Sequence, residues 1–221
     1  MSKKIKSTTF PGLLDLIAPH SCRGCGRLGD VLCSCCKNYI VNSNIYNNHP
    51  NSKNLPPFYT IGNRDSLLAK LIYDYKYNST RAIGIKLAEL INEKLPKNLP
   101  SNTCIVPLPT STKHIRERGF DHTLFVARHL AKLNHNFKVN QLLIREKNTV
   151  QVGSNRKTRL LQAEQAFKVK ESAQINKNAT YLLLDDVWTT GASMLTAVKK
   201  LRAVGAKHII IAELSVSTLD N

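Results

Sequence analysis

Two clusters in this chain place residue types at spacings that can do chemistry. The first runs Leu182-Leu183-Leu184-Asp185-Asp186-Val187-Trp188-Thr189-Thr190-Gly191-Ala192-Ser193. A buried apolar strand ending at Leu184 would deliver two carboxylates, Asp185 and Asp186, to its exposed end. A loop of hydroxyls and small residues follows, and then a helix begins. The free amides and positive end of that helix favour an anion. Thr189, Thr190 and Ser193 add hydroxyl donors, and Gly191 lets the backbone come close to a phosphate. Two carboxylates repel that phosphate, so they must face something neutral or cationic, such as sugar hydroxyls or Mg²⁺. Diol at one end and phosphate at the other describes a ribose 5-phosphate. A helix N-cap would explain one such residue, but not the ordered set. No G-K-[ST] is present, which excludes a Walker-type loop. Trp188, the single tryptophan, is given no role beyond packing.

The second cluster is Cys22-x-x-Cys25 followed by Cys33-x-x-Cys36. Two chelating pairs presenting four thiolates suit a tetrahedral zinc ion. Paired disulfides or buried free thiols are the alternatives, and a reducing compartment argues against the disulfides. Cys35 could compete for ligation, and His20 is a less favoured substitute. Cys104 falls in an apolar run and reads as core. Such a knuckle can grip a nucleic acid or a protein, or can staple a segment that has no core of its own.

These groups need elements to hold them. Tyr181–Leu184 reads as a strand, Met194–Val204 as an amphipathic helix closed by Gly205, and His208–Ala212 as another apolar strand. Strand, crossover helix and strand make a parallel βαβ unit, whose ligands sit beyond the carboxyl ends of the strands. Upstream, Leu67, Leu68, Leu71, Ile72 and Tyr75 repeat at helical spacing, as do Ile83, Leu87, Leu90 and Ile91. Thr103–Val106 looks like a buried strand ending at Pro107. Gly119-Phe120 opens a helix through Leu124, Leu130 and Ala131, and Val139–Ile144 is a further strand candidate. The organisation predicted is an N-terminal helix with the four-cysteine knuckle over 1–41, a polar linker over 42–57, and one α/β domain over 58–221.

Two more segments complete a pattern. One is Pro107-Leu108-Pro109 followed by Arg116-Glu117-Arg118-Gly119-Phe120-Asp121-His122. The other runs Leu143-Ile144-Arg145, Thr149, Gln151, Arg159, Gln162 and Ala166-Phe167. The acidic-Thr-Thr-Gly loop resembles the PRPP-binding signature of type I phosphoribosyltransferases. With the cysteines and the Arg-x-Arg-Gly-Phe run, nearly the whole chain resembles the ComF family of competence proteins. The chain departs from that family in reading Asp121-His122 where members read Asn-Gln, and Gln162 where they read Asn.

That resemblance implies a type I phosphoribosyltransferase-like, mostly parallel sheet flanked by helices, with a small N-terminal zinc knuckle. It implies that Asp185 and Asp186 hold ribose hydroxyls and that Val187 and Thr189 to Ser193, including Ala192, cradle the 5-phosphate. The loop after Pro109 would face pyrophosphate, and Lys147 to Lys157 would be a closing flap. Arg116, Arg118, Arg145 and Arg159 are the candidates to neutralise pyrophosphate, because a guanidinium forks onto phosphate oxygens and keeps its charge. Solvated pairing of Arg116 or Arg118 with Glu117 is the competing explanation. Mg²⁺ would accompany PRPP. Asp185, Asp186 and Arg118 would serve any phosphoribosyl transfer, a reaction that can run on positioning and electrostatics alone. Partners implied are PRPP or a nucleotide, single-stranded DNA and proteins of the competence machinery. The alternative function is an active phosphoribosyltransferase of nucleotide metabolism with no DNA role.

Bulk properties agree without deciding. The chain has 221 residues, 42% of them apolar, with 32 Lys+Arg against 15 Asp+Glu and a formal net charge of +17. Such an excess favours phosphate-bearing partners, although surface lysines also serve solubility. No window approaches the ~18 apolar residues of a spanning helix. The run after Lys3, Lys4 and Lys6 is short and interrupted by Pro11 and Asp15, so export is not expected and a cytoplasmic location is.

Overall fold

The computed structural model describes residues 20–43, 55–64, 66–78, 80–134, 136–145 and 167–217. The proposed N-terminal helix, most of the linker, the flap, Arg159 and Gln162 lie outside them.

Leu182, Leu183 and Leu184 form a continuous apolar run, which suits a strand buried on both faces. They lie in β6 (Thr180–Trp188), near the middle of a five-stranded parallel sheet of order β1-β7-β6-β2-β3. The others are β1 (Phe58–Thr60), β2 (Cys104–Pro107), β3 (Lys138–Val139) and β7 (His208–Val216). One face is covered by α2 (Ser66–Tyr77), α3 (Arg81–Lys94) and α5 (His122–Leu133), whose Leu68, Leu87 and Val126 pack with Leu182 and Leu184. The other is covered by α6 (Ala192–Ala203) and by an antiparallel ribbon of β4 (Leu143–Arg145) and β5 (Phe167–Val169). This is the parallel sheet flanked by helices that the resemblance implies.

Helix ends follow their capping chemistry. The Asp121 side chain accepts from the Leu124 amide at 3.1 Å and starts α5. Ser111 does the same for His114 at 3.3 Å, so the stretch after Pro109 folds as α4 (Thr112–Arg118) rather than as an open loop. Both are side-chain caps on otherwise orphaned amides.

Three expectations need correction. β6 does not end at Leu184: Asp185↔Glu213, Val187↔Ser215 and Trp188↔Val216 continue its pairing with β7. A strong partner strand overrides the turn preference of two adjacent aspartates. The Val139–Ile144 run is likewise divided, β3 joining the main sheet and β4 the ribbon. The knuckle also has core contacts of its own. Val31, Leu32 and Ile40, the last in α1 (Ser34–Ser43), are buried with the residues of α2 and α3. Ion pairs fasten it further: Arg23 Nε to Asp74 Oδ2 at 3.3 Å, Lys86 Nζ to Asp30 Oδ2 at 2.9 Å and Lys37 Nζ to Glu93 Oε1 at 2.6 Å.

Candidate functional site

Successive residues of a strand point to opposite faces. The two acids at the end of β6 therefore part company. Asp186 faces α2 and α5, where its Oδ2 takes Lys76 Nζ and His122 Nε2, both at 2.5 Å. Asp185 lies on the α6 side, in register with Glu213 of β7, and its Oδ1 accepts the Asp186 amide at 2.9 Å. The two carboxylates thus leave the strand on opposite faces, although the Lys76 charge reaches both.

The electrostatics follow this division. Burial first, and then the neighbouring Asp186 charge, push the Asp185 carboxyl up to about 8. Burial would push Asp186 up as well, but the His122 hydrogen bond and the Lys76 ammonium outweigh it and hold that carboxyl well below the usual range. Glu213 is 1% exposed, and its Oε2 has no hydrogen-bond partner. Burial, with the charges of Asp185 and Asp186, pushes it well above the usual carboxylate range. Among these three acids, Asp186 carries the stabilised negative charge.

Arg118 is 9% exposed and is not a solvated surface arginine. Its Nη1 donates to His122 Nδ1 at 2.9 Å, and its guanidinium lies 5.2 Å from the Tyr77 ring centroid. A guanidinium can only donate, so His122 Nδ1 accepts and the imidazole proton sits on Nε2, aimed at Asp186. Tyr75 Oη donates to the His122 carbonyl at 2.7 Å and anchors the start of α5 from beneath. Arg118 Nε is buried with no partner. Arg116 is exposed, and Glu117 pairs with Lys113 at 3.9 Å instead of with either arginine. Arg145 is exposed in β4, its guanidinium 5.6 Å from the Phe167 ring centroid, and acts electrostatically on Asp185.

The turn between β6 and α6 has shrunk to Thr189, Thr190 and Gly191. Thr189, Thr190 and Ser193 are exposed. The Ala192 amide reaches Thr190 Oγ1 at 3.4 Å, whereas the amides of Thr189, Thr190, Gly191 and Ser193 have no partner among the described residues. Gly191 is fixed twice over. Its φ is +72°, and a Cβ there would stand 2.2 Å from Cζ2 of Trp188. Trp188 is thus the floor of the turn, held edge-on to Phe58 at 5.1 Å between ring centroids. Donors left open at a helix N-terminus above a rigid ring form a cup for an anion.

The sequence missed Lys76, His122 and Trp188 as site residues. The departure at Asp121-His122 was the one available signal for His122.

Mg²⁺ fits the acid end poorly. It demands near-octahedral oxygen ligation, yet Oδ2 of Asp186 is covered by an ammonium and an imidazole while Asp185 faces away. Among the described residues the only cluster of three or more metal-ligating side chains close enough to share an ion is Cys22, Cys25, Cys33 and Cys36.

That cluster does fit zinc. All four sulfurs lie within 4.8 Å of one another. Cys25 and Cys33 Sγ are 3.6 Å apart, against about 3.8 Å for a tetrahedron of Zn–S bonds. Amides of Cys25, Cys33 and Gly24 point at the Cys22 sulfur and, against burial, bring its thiol down to about 6. A Cβ on Gly24 would meet Cys36 Sγ at 2.6 Å. Cys35 is exposed and stands outside the cluster, and so does His20.

No helix of the described residues is long and apolar enough to cross a membrane. No family model matches the chain. No curated protein matches it either. Among solved structures, the chain is similar to adenine phosphoribosyl transferase from Trypanosoma brucei in complex with AMP, pyrophosphate and ribose-5-phosphate, at 13% identity and a TM-score of 0.44, over 77% of this chain and 89% of that one.

Proposed function

We propose that this protein binds a ribose 5-phosphate moiety, carried by PRPP or a nucleotide, at the turn joining β6 to α6. The observation that carries this is the exposed turn of unpartnered amides on a tryptophan floor, just after β6, which carries the charged Asp186 near its carboxyl end. The cup takes the 5-phosphate, with Thr189, Thr190 and Ser193 as hydroxyl donors. Asp186 accepts from a ribose hydroxyl, and Asp185 shapes the strand end from the opposite face. Arg118, buried against His122, sets the acid's partner, while Arg116 and Arg145, both exposed, would meet a pyrophosphate.

The resemblance to the ComF family extends this to a phosphoribosyltransferase-like protein that handles incoming single-stranded DNA in natural transformation. The net charge of +17 supports a polyanionic partner of that kind. An active phosphoribosyltransferase of nucleotide metabolism is the second reading, favoured by the open arginines. Release of pyrophosphate from PRPP in the presence of acceptor bases would favour it.

Titration of PRPP against the wild type and Asp186→Asn tests the core of the proposal. A hydrogen bond to a charged group contributes roughly 1.5–3 kcal/mol, so affinity should fall about 10- to 100-fold. Unchanged affinity refutes the sugar contact.

A further inference from the structure

Lys76 lies outside every motif the chain displays, yet its ammonium sits on the acid that the proposed sugar must reach. Its side chain is 14% exposed and that of Asp186 15%, so the pair is sheltered but not sealed. Both contacts on Asp186, from Lys76 and from His122, fall on Oδ2. Oδ1 receives no hydrogen bond from the described residues and remains an acceptor. An ammonium has three donors, so Lys76 keeps N–H groups for a second hydroxyl oxygen. Acceptor and donor side by side complement a vicinal diol, whose hydroxyls both give and receive.

We infer that Lys76 takes the place of a divalent cation at the acidic end of this site, so that a pentose 5-phosphate is bound without metal. The inference rests on the pentose-phosphate reading above and specifies its chemistry. A magnesium ion at the open Oδ1 would sit on the same carboxylate as the ammonium on Oδ2, and the two cations repel. It would also lack a second carboxylate, because Asp185 lies across the sheet and Glu213 is buried beside Asp185. Lys76 is a binding residue in this scheme, and His122 positions Asp186 by holding the other side of Oδ2.

Ribose 5-phosphate is the suitable probe, because it lacks the pyrophosphate that would carry magnesium in by itself. Calorimetric titrations would be run on the full chain in buffer cleared of divalent ions by chelating resin, which leaves protein-bound zinc in place. They would then be repeated with millimolar magnesium chloride. The wild type should bind with the same Kd, within about twofold, in both buffers. Lys76→Gln should bind at least tenfold more weakly without magnesium and recover part of that loss with it, while Lys76→Arg should stay metal-independent. Wild-type binding that appears only with magnesium overturns the inference and leaves the pentose-phosphate reading standing. Absence of ribose 5-phosphate binding in either buffer overturns both. The wild-type comparison decides even if Lys76→Gln fails to fold.

Discussion

Replacing Gly191 with alanine sets two demands of the turn against each other. At φ +72° a Cβ carries the left-handed penalty, roughly 1–2 kcal/mol. The same Cβ would stand 2.2 and 2.5 Å from Cζ2 and Cη2 of Trp188, so the indole must move. Trp188 is 7% exposed and packs edge-on against Phe58, which leaves it little room, and overpacking of this kind costs about 1–3 kcal/mol. The sum is roughly 2–5 kcal/mol, or a fall in Tm on the order of 4–20 °C for a chain of this size. If the turn instead flips to a comfortable φ, stability recovers but the amides no longer converge, and PRPP or ribose 5-phosphate binding is lost. Differential scanning fluorimetry and ligand titration together cover both escapes. Trp188→Leu in the same background separates the terms: it should remove the clash and leave the φ penalty, giving a coupling of about 1–3 kcal/mol between the sites. A Gly191→Ala protein with unchanged Tm and unchanged ligand affinity would refute the tryptophan-floored cup.

The buried acids predict a pH trend. A carboxyl raised in the folded state keeps its proton there after the unfolded chain has lost it. Its stabilising effect is therefore complete below the unfolded value and drains away as pH climbs through the folded one. Asp185 and Glu213 are both raised, so Tm should fall between pH 5 and pH 8. Glu213→Gln, which keeps the shape and removes the titration, should flatten that fall, and an identical slope would discount the buried carboxyl. At the knuckle, Cys25→Ser should release zinc to a colorimetric chelator far faster than the wild type, while Cys35→Ser should retain the metal; the reverse order would reassign the ligands.

Much of the frame was legible because it is written in local periodicity. The helices around Leu68, Leu87 and Val126, the strand–helix–strand at the C-terminus and the two cysteine pairs each signal themselves within a dozen residues. What escaped was set by tertiary pairing. Asp185 and Asp186 look like the start of a loop, and only β7 alongside makes them strand. His122 meets Asp186 across 64 positions of sequence, and Lys76 reaches the same oxygen from another helix. No helical pattern distinguishes Lys76 from a solvated lysine. Arg118 sits in a charged run that reads as surface, and its burial depends on Tyr77 arriving from α2 and on the turn that folds His122 back against it.

Asp74 and Lys76 are two positions apart on α2, which turns their side chains about 200° from each other. Asp74 grips Arg23 of the cysteine knuckle, and Lys76 grips Asp186 of the proposed sugar site. One helix is thus the common girder between the four-cysteine module and the proposed pentose-phosphate site more than a hundred residues downstream in sequence. Slackening either end shifts the footing of the other, so depletion of zinc should register as a change in affinity for ribose 5-phosphate even though the cysteines stand apart from the turn after β6.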